Sequence, residues 1–328
     1  PVQRPRGPRR PDAGGHRVVS VREIDDQCLG NIAQPSRVMA PFMWFGGKGN
    51  LAKKILPYLP KGKVYVEPFC GAASIFWHLP EPYGVEVLND LNGEIVNLFR
   101  VLQDATLFEE FRHRIIWTPY SLDEFRKALS VGPDAPPIDR AWAFFVRQNQ
   151  GFGGVATVEG NWGRAFISNR GMADTACKWR GRMKLLDVWH DRLTRVQLDN
   201  RCALKVIEYW DSPDTVFYID PPYALDTRVG GKVYDHECEN DFHHNLVSLL
   251  LTLKGKVALS GYATDIYAPL ESAGWARLDI KTACMVTGRT RQSAERGTGS
   301  GLKNHARTES LWLSDPLTCS LFEHANEG

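Results

Sequence analysis

Val216-Phe217-Tyr218-Ile219-Asp220-Pro221-Pro222-Tyr223 is the stretch on which the fold turns. Its four apolar residues have strand length and strand composition, and the two prolines forbid continuation as helix or ladder. One carboxylate, one rigidly held carbonyl and one aromatic ring are thereby fixed together at the mouth of a strand. Open α/β sheets bind ligands at that end of their strands.

Upstream, Lys63-Val64-Tyr65-Val66-Glu67-Pro68-Phe69-Cys70-Gly71-Ala72-Ala73-Ser74 leads into Ile75-Phe76-Trp77. Strand, small-residue turn and helix in that order open a nucleotide-type βαβ unit. Small residues let the backbone approach a bound group closely, and a helix N-terminus offers free N–H groups. A second strand, Gly84 to Asn89, ends at Asp90, nineteen residues after Gly71. An acid at about that distance is where such folds hold a ribose hydroxyl pair. Asp90 is equally placed to cap a helix over Gly93 to Leu102, and one carboxylate can serve both roles.

Ahead of this unit, Pro41-Phe42-Met43-Trp44-Phe45-Gly46-Gly47-Lys48-Gly49 precedes Leu51, Ile55, Leu56 and Leu59 at helical spacing. Two glycines and a lysine before a helix suit a tight turn near an anion or a flat ring. A Walker phosphate loop is excluded. No glycine sits five residues before Gly47, and Gly49 stands where Ser or Thr is required.

Taken together and in this order, Trp44-Phe-Gly-Gly-Lys48, Glu67-Pro-Phe-Cys-Gly-Ala-Ala-Ser74 and Asp220-Pro-Pro-Tyr223 resemble the DNA adenine-N6 methyltransferases of the DNA adenine methylase type, the D12 class with the α motif order. The likeness runs from about Met43 to Leu313. It departs at Ala73, where the family commonly has a second glycine. The resemblance implies a Rossmann-like α/β sheet that binds S-adenosylmethionine, with an inserted, mainly helical target-recognition domain. It implies a methyl transfer to the N6 amine of an adenine flipped out of double-stranded DNA. Asp220, Pro221, Pro222 and Tyr223 would be the catalytic residues. Trp44, Lys48, Glu67, Pro68, Phe69, Gly71, Asp90 and Asp199 would line the cofactor site, Asp199 receiving the exocyclic amine of the cofactor's adenine.

Residues 106–195 break the βαβ rhythm. Phe108, Phe111, Ile115 and Ile116, then Phe125 and Leu129, then Ala141 to Val146 read as short amphipathic helices. Arg147-Gln-Asn149-Gln-Gly-Phe152-Gly-Gly154 and Asn161-Trp-Gly-Arg164-Ala-Phe166 follow, in the place of the family's hairpin-bearing recognition region. Residues 161–195 hold eight basic and three acidic side chains, and this local excess suits phosphate positioning with base reading. Any single arginine there is ordinarily a solvated face; the cluster favours DNA. The residues expected at DNA are Arg147, Asn149, Phe152, Arg164, Lys178, Arg180 and Arg182. The α/β pattern resumes at Arg195 to Asp199. Lys256 to Ser260 and Glu309 to Leu313 are further strands, with Ser260-Gly-Tyr262 as in the family.

The expected organisation is a disordered basic tail over 1–36, a catalytic first part over 37–105, the recognition insert over 106–195, a catalytic second part over 196–316, and a tail over 317–328. Residues 281–309, rich in Gly, Arg, Ser and Thr, suit a loop that orders on a polyanion. With a net charge of only +2, the partner is announced by the distribution of charge rather than its sum. Seven scattered cysteines without a CxxC pair read as reduced thiols, and no apolar run reaches membrane length. A cytoplasmic protein is expected, acting as a monomer or as a transient dimer on DNA, with no metal. His236, Cys238, His243 and His244 are the one grouping that could suggest a metal, but two are adjacent and no carboxylate is placed beside them.

Two alternatives stay open. A cytosine-N4 methyltransferase uses a similar acidic or Ser-Pro-Pro-Tyr apparatus, and a silent DNA-binding regulator could keep the fold without the chemistry. A small-molecule or protein-glutamine methyltransferase would leave the basic insert unexplained.

Overall fold

The computed structural model describes residues 38–44, 46–152, 158–223, 240–283 and 306–315. The N-terminal tail, Phe45, Gly153, Gly154, His236, Cys238 and most of the 281–309 stretch lie outside the described residues.

In chain order the helices are α1 Ala52–Ile55, α2 Gly93–Gln103, α3 Ala105–Ile116, α4 Leu122–Ser130, α5 Pro137–Gln150, α6 Asp174–Met183, α7 Leu186–Leu193, α8 Ala203–Trp210, α9 Asn240–Leu250 and α10 Ala268–Ser272. The strands are β1 Val64–Glu67, β2 Val85–Asn89, β3 Ser168–Asn169, β4 Met172–Ala173, β5 Val196–Asp199, β6 Thr215–Ile219, β7 Lys256–Gly261, β8 Ala276–Ala283 and β9 Ala306–Leu313.

Seven strands form one sheet in the order β5-β2-β1-β6-β7-β9-β8. The first five run parallel, and β9 lies antiparallel to both β7 and β8. From β1 the chain winds outward through β2 to β5, then returns to β6 on the other side of β1. The carboxyl ends of β1 and β6 therefore meet where the winding reverses, which is where such sheets open a crevice. Register places Val66 opposite Phe217, so Asp220 emerges two residues beyond the level of Glu67 on the neighbouring strand.

β6 is buried along its whole length, as a central parallel strand covered on both faces must be. Its alternation divides the core. Val216 and Tyr218 face one apolar cluster, and Phe217 and Ile219 face the other. The second face is covered by α8, α9 and α10 through Ile207, Leu246, Leu250 and Leu270.

The first face is covered by α2 and, through it, by the helices of 105–195. Phe99 of α2, Phe111 of α3, Phe145 of α5 and Trp189 of α7 belong to the same cluster as Tyr218. The expected helical interruption is present, and it shares its core with the sheet. Local signals explain where its helices begin. Asp104 accepts from the Thr106 and Leu107 amides, Ser121 accepts from Glu124, and Pro137 stands first in α5. An ion pair closes the junction: Arg192 of α7 holds Glu86 of β2 with both guanidinium arms and lies 3.9 Å over the Phe76 ring. Glu86 is 1% exposed. After the Gly71 turn the chain forms only a 3-10 turn, Phe76–His78, where the sequence suggested a helix.

Candidate active site

The Gly71 turn owes its shape to left-handed backbone at two positions, Gly71 with φ +48° and Ala73 with φ +54°. Glycine is required at the first. A Cβ there would lie 2.8 Å from Cδ1 of Trp44, whose indole covers the turn. Ala73, which is buried, adopts a conformation that costs an alanine about 1 kcal/mol. Asp90 braces the turn. Its Oδ2 accepts the Gly71 amide at 2.8 Å and its Oδ1 accepts the Asn92 amide at 2.9 Å. A carboxylate has about four acceptor positions, so a ribose hydroxyl can share it.

Glu67 plays its part from below. It is 2% exposed, and one of its oxygens accepts both the Tyr65 hydroxyl and the Phe76 amide. Burial pushes its carboxyl up to about 8 against those two donors. Pro68 sits in the same turn, and its carbonyl accepts the Asn89 side chain at 2.8 Å. Phe69 meets Phe242 of α9 edge to face.

Asn89 is a residue that sequence reasoning passed over. Fully buried, it ties the end of β2 to Pro68 on one side and to both backbone groups of Arg201 on the other. Asp199 closes β5 at the same edge. It accepts the Asn200 amide, and Arg201 grips it through two nitrogens, which holds its carboxyl below the usual range.

Lys48 connects this crevice to Asp220. Its segment begins with Trp44 over the Gly71 turn, and its ammonium lies 2.6 Å from Asp220 Oδ1, 3.0 Å from the Tyr223 hydroxyl and 3.4 Å from Glu309 Oε1. Lys48 is 4% exposed and Glu309 3%. Burial disfavours the ammonium, but Asp220, Tyr223 and Glu309 more than restore it and raise Lys48 above its ordinary value. Burial pushes Asp220 up to about 6, with Lys48 opposing and Glu309 adding to the shift. Glu309 is held by the Ser260 hydroxyl at 3.0 Å, and the Tyr223 ring stacks on Tyr262 with centroids 4.3 Å apart. Pro221 is buried and Pro222 half-buried between these groups.

Glu309 had no motif to announce it. The one available signal was an acid at the head of an expected strand, Glu309-Ser-Leu-Trp-Leu313.

The residues expected at DNA fall into two sets. Phe152, Arg164, Lys178 and Arg180 are exposed. Arg164 lies over the Trp162 ring, and Lys178 pairs with Asp174 one helical turn away. Phe166 and Ile167 are also exposed, just before the β3–β4 hairpin, whose Arg170-Gly171 turn has positive φ at both positions. Arg147, Asn149 and Arg182 turn toward the protein. Asn149 donates to the carbonyls of Pro41 and Phe145, Arg182 donates to that of Ala40, and burial lowers the Arg147 guanidinium. Burial brings Arg182 down to about 10.

His243 is fully buried and bonds the Tyr267 hydroxyl, and among the described residues no three His, Cys, Asp or Glu side chains form a metal-binding group. No described helix is long and apolar enough to cross a membrane.

Residues 44–127 match the family model of the D12 class N6 adenine-specific DNA methyltransferases. A DNA N-6-adenine-methyltransferase of Escherichia phage P1 is 39% identical over 62 residues, 19% of this chain and 8% of that protein. The DNA adenine methylase of Escherichia coli K12 is 30% identical over 117 residues, 34% of this chain and 41% of that protein. The one from Salmonella typhi is 24% identical over 195 residues, 55% of this chain and 63% of its own length. The chain thus spans less than two thirds of each of these relatives. The matched residues 44–127 hold the Trp44–Lys48 segment, the Gly71 turn and Asp90, and in that segment the chain is similar to the D12 class N6 adenine-specific DNA methyltransferases.

Proposed function

We propose that the protein transfers a methyl group from S-adenosylmethionine to the N6 amine of an adenine flipped out of double-stranded DNA. One observation carries this reading. The segment matched to the family touches both halves of the crevice, Trp44 lying on the Gly71 turn and Lys48 on Asp220.

The cofactor fits the residues present. A Cβ at Gly71 would fill the space beneath Trp44, which is what a turn made for close backbone approach requires. Trp44, Phe69, Gly71, Asp90 and Asp199 would hold it, with Glu67, Pro68 and Asn89 fixing the turn's geometry. Asp199 would receive the adenine amine of the cofactor as well as Arg201. When bound, S-adenosylmethionine supplies a methyl group activated by its sulfonium.

Adenine N6 is a poor nucleophile because its lone pair is conjugated into the ring. The Asp220 carboxylate and the Pro221 carbonyl can accept its two hydrogens, drawing the nitrogen out of conjugation and stabilising the positive charge that develops on it. The prolines fix the backbone that carries both acceptors in advance of the reaction. A base inside a duplex cannot reach these groups and must leave the stack. Tyr223, backed by Tyr262, offers a π-face to it, worth about 1–3 kcal/mol. Residues 106–195 would act as the recognition insert, with Arg164, Lys178 and Arg180 on phosphates and Phe152, Phe166, Ile167 and the β3–β4 hairpin nearest the bases.

Incubating the protein with duplex DNA and methyl-labelled S-adenosylmethionine, then digesting to nucleosides, tests the reading. N6-methyladenosine is expected. Labelled N4-methylcytosine would replace adenine with cytosine as the target, and DNA binding without transfer would make the chain a regulator.

A further inference from the structure

The Lys48 ammonium has three hydrogens and four acceptors within reach. They are Asp220 Oδ1 at 2.6 Å, Tyr223 Oη at 3.0 Å, the Gly46 carbonyl at 3.2 Å and Glu309 Oε1 at 3.4 Å. It also lies between two carboxylates, Glu309 buried and Asp220 19% exposed, one more negative charge than it can neutralise. A buried excess of charge is costly, and a fold keeps it only where other interactions repay it. Asp220 is the acceptor that the target amine needs, and in this arrangement the ammonium occupies its Oδ1. Its two carboxylate contacts differ by 0.8 Å, 2.6 against 3.4 Å.

We propose that Glu309 is a positioning residue for methyl transfer: it takes the Lys48 ammonium when the target amine arrives, freeing Asp220 Oδ1 to accept the amine. The inference rests on the function proposed above. Glu309 is fitted to the task because it cannot itself move to the substrate. Ser260 of β7 fixes its Oε1 at 3.0 Å, the Tyr223 hydroxyl lies 3.3 Å from its Oε2, and β9 is paired on both sides. Lys48, on a short 3-10 turn with a flexible stem, is the partner free to shift. No bond to carbon changes in this step; one ammonium hydrogen bond passes from Asp220 to Glu309, and the amine hydrogen replaces it.

Asp220 is faced by Lys48 from the 3-10 turn, Tyr218 from its own strand, Tyr223 beyond it, Glu67 from β1 and Glu309 from β9. Of these, Glu309 raises the Asp220 carboxyl, so its charge also sets where activity is lost on the acid side.

The test compares wild type, Glu309→Gln and Glu309→Asp in steady-state methylation of adenine-containing duplex across pH, with S-adenosylmethionine affinity and thermal melting read in parallel. For Glu309→Gln, kcat is expected to fall about 10- to 100-fold, with KM for DNA and cofactor affinity within about threefold. Its acid limb should move to lower pH. Glu309→Asp keeps the charge and should keep the limb where wild type has it. Should Glu309→Gln fail to melt cooperatively, Ser260→Ala, which loosens Glu309 without removing its charge, should lower kcat about threefold at unchanged KM. Wild-type kcat in Glu309→Gln overturns the proposal, as does a fall in kcat with an unmoved limb, a limb in Glu309→Asp that moves as far as in Gln, or wild-type kcat in Ser260→Ala. Wild-type protein that methylates no adenine removes the proposed function itself, and with it this inference, and that failure is visible before any variant is made.

Discussion

Around Asp220 the charges are few and largely withdrawn from water, Lys48 and Glu309 buried and Asp220 19% exposed, and each lies within 3.4 Å of an opposite charge or a hydroxyl. Along residues 164–180 they are numerous and stand in solvent; Lys178 is 72% exposed and its partner Asp174 lies on the same helix. The first region works by position. Burial makes each interaction strong, so removing one group leaves others unpaired. The second works by sum. An exposed ion pair contributes about 0–1 kcal/mol, and a phosphate contact acts mainly through released counterions. The two regions should therefore fail differently when altered.

The sharpest break is at Asp220. Asp220→Ala should lower methyl transfer about a thousandfold, with cofactor affinity little changed, because the lost acceptor acts on the reacting amine. Single-turnover assays with equilibrium binding measure both, and undiminished turnover would remove Asp220 from the chemistry. Next comes the joint between the regions. Arg192→Ala leaves Glu86 buried without its cation and should cost about 3–5 kcal/mol in urea unfolding. A loss under 1 kcal/mol would show that the helices of 105–195 do not need this pair to stay on the sheet.

Gly71→Ala should cost about 1–3 kcal/mol and weaken cofactor binding, since the left-handed backbone and the Trp44 ring both resist a Cβ. Calorimetric binding and a melting curve would show it. The pH dependence follows from a carboxyl raised to about 6. The amine needs the ionised form, so kcat should be flat at alkaline pH and fall tenfold per unit below about pH 6. A plateau extending down to pH 4 would sever the rate from Asp220. The smallest effects belong to the exposed set. Arg164→Ala, Lys178→Ala and Arg180→Ala should each weaken DNA binding a few-fold, uniformly across sequences, and reduce the log–log salt slope by about one. Unchanged slopes would take that residue off the phosphates.

How much of this was readable beforehand follows the same division. Strands β1, β2 and β6 and the Gly71 turn are local features, set by β-branched and aromatic runs, by proline and by small residues, and they stand within a residue of where the sequence puts them. Asp90 at nineteen residues from Gly71 does brace that turn. Asn89 and Glu309 were not legible, because their partners are brought to them by strand pairing, parallel for β2 with β5 and antiparallel for β7 with β9, across 112 and 49 positions. Arg147, Asn149, Phe152, Arg164, Lys178, Arg180 and Arg182 looked alike as members of one polar and basic stretch. Helical periodicity alone does not say which of them faces the core when α5 and α6 are packed on two sides, and Arg182 and Asn149 bond carbonyls of residues 40 and 41.

The chain's own chemistry determined which groups could do the work: a carboxylate and a carbonyl locked by two prolines, an aromatic ring beside them, and a glycine turn with an acid behind it. Those are properties of covalent geometry and of short spans, and they persist whatever surrounds them. Tertiary structure decided what state those groups are in. Only the meeting of β1, β6 and β9 with the Lys48 turn puts one ammonium between Asp220 and Glu309, buries the Lys48 and Glu309 side chains, and thereby sets the strength of the bonds among them.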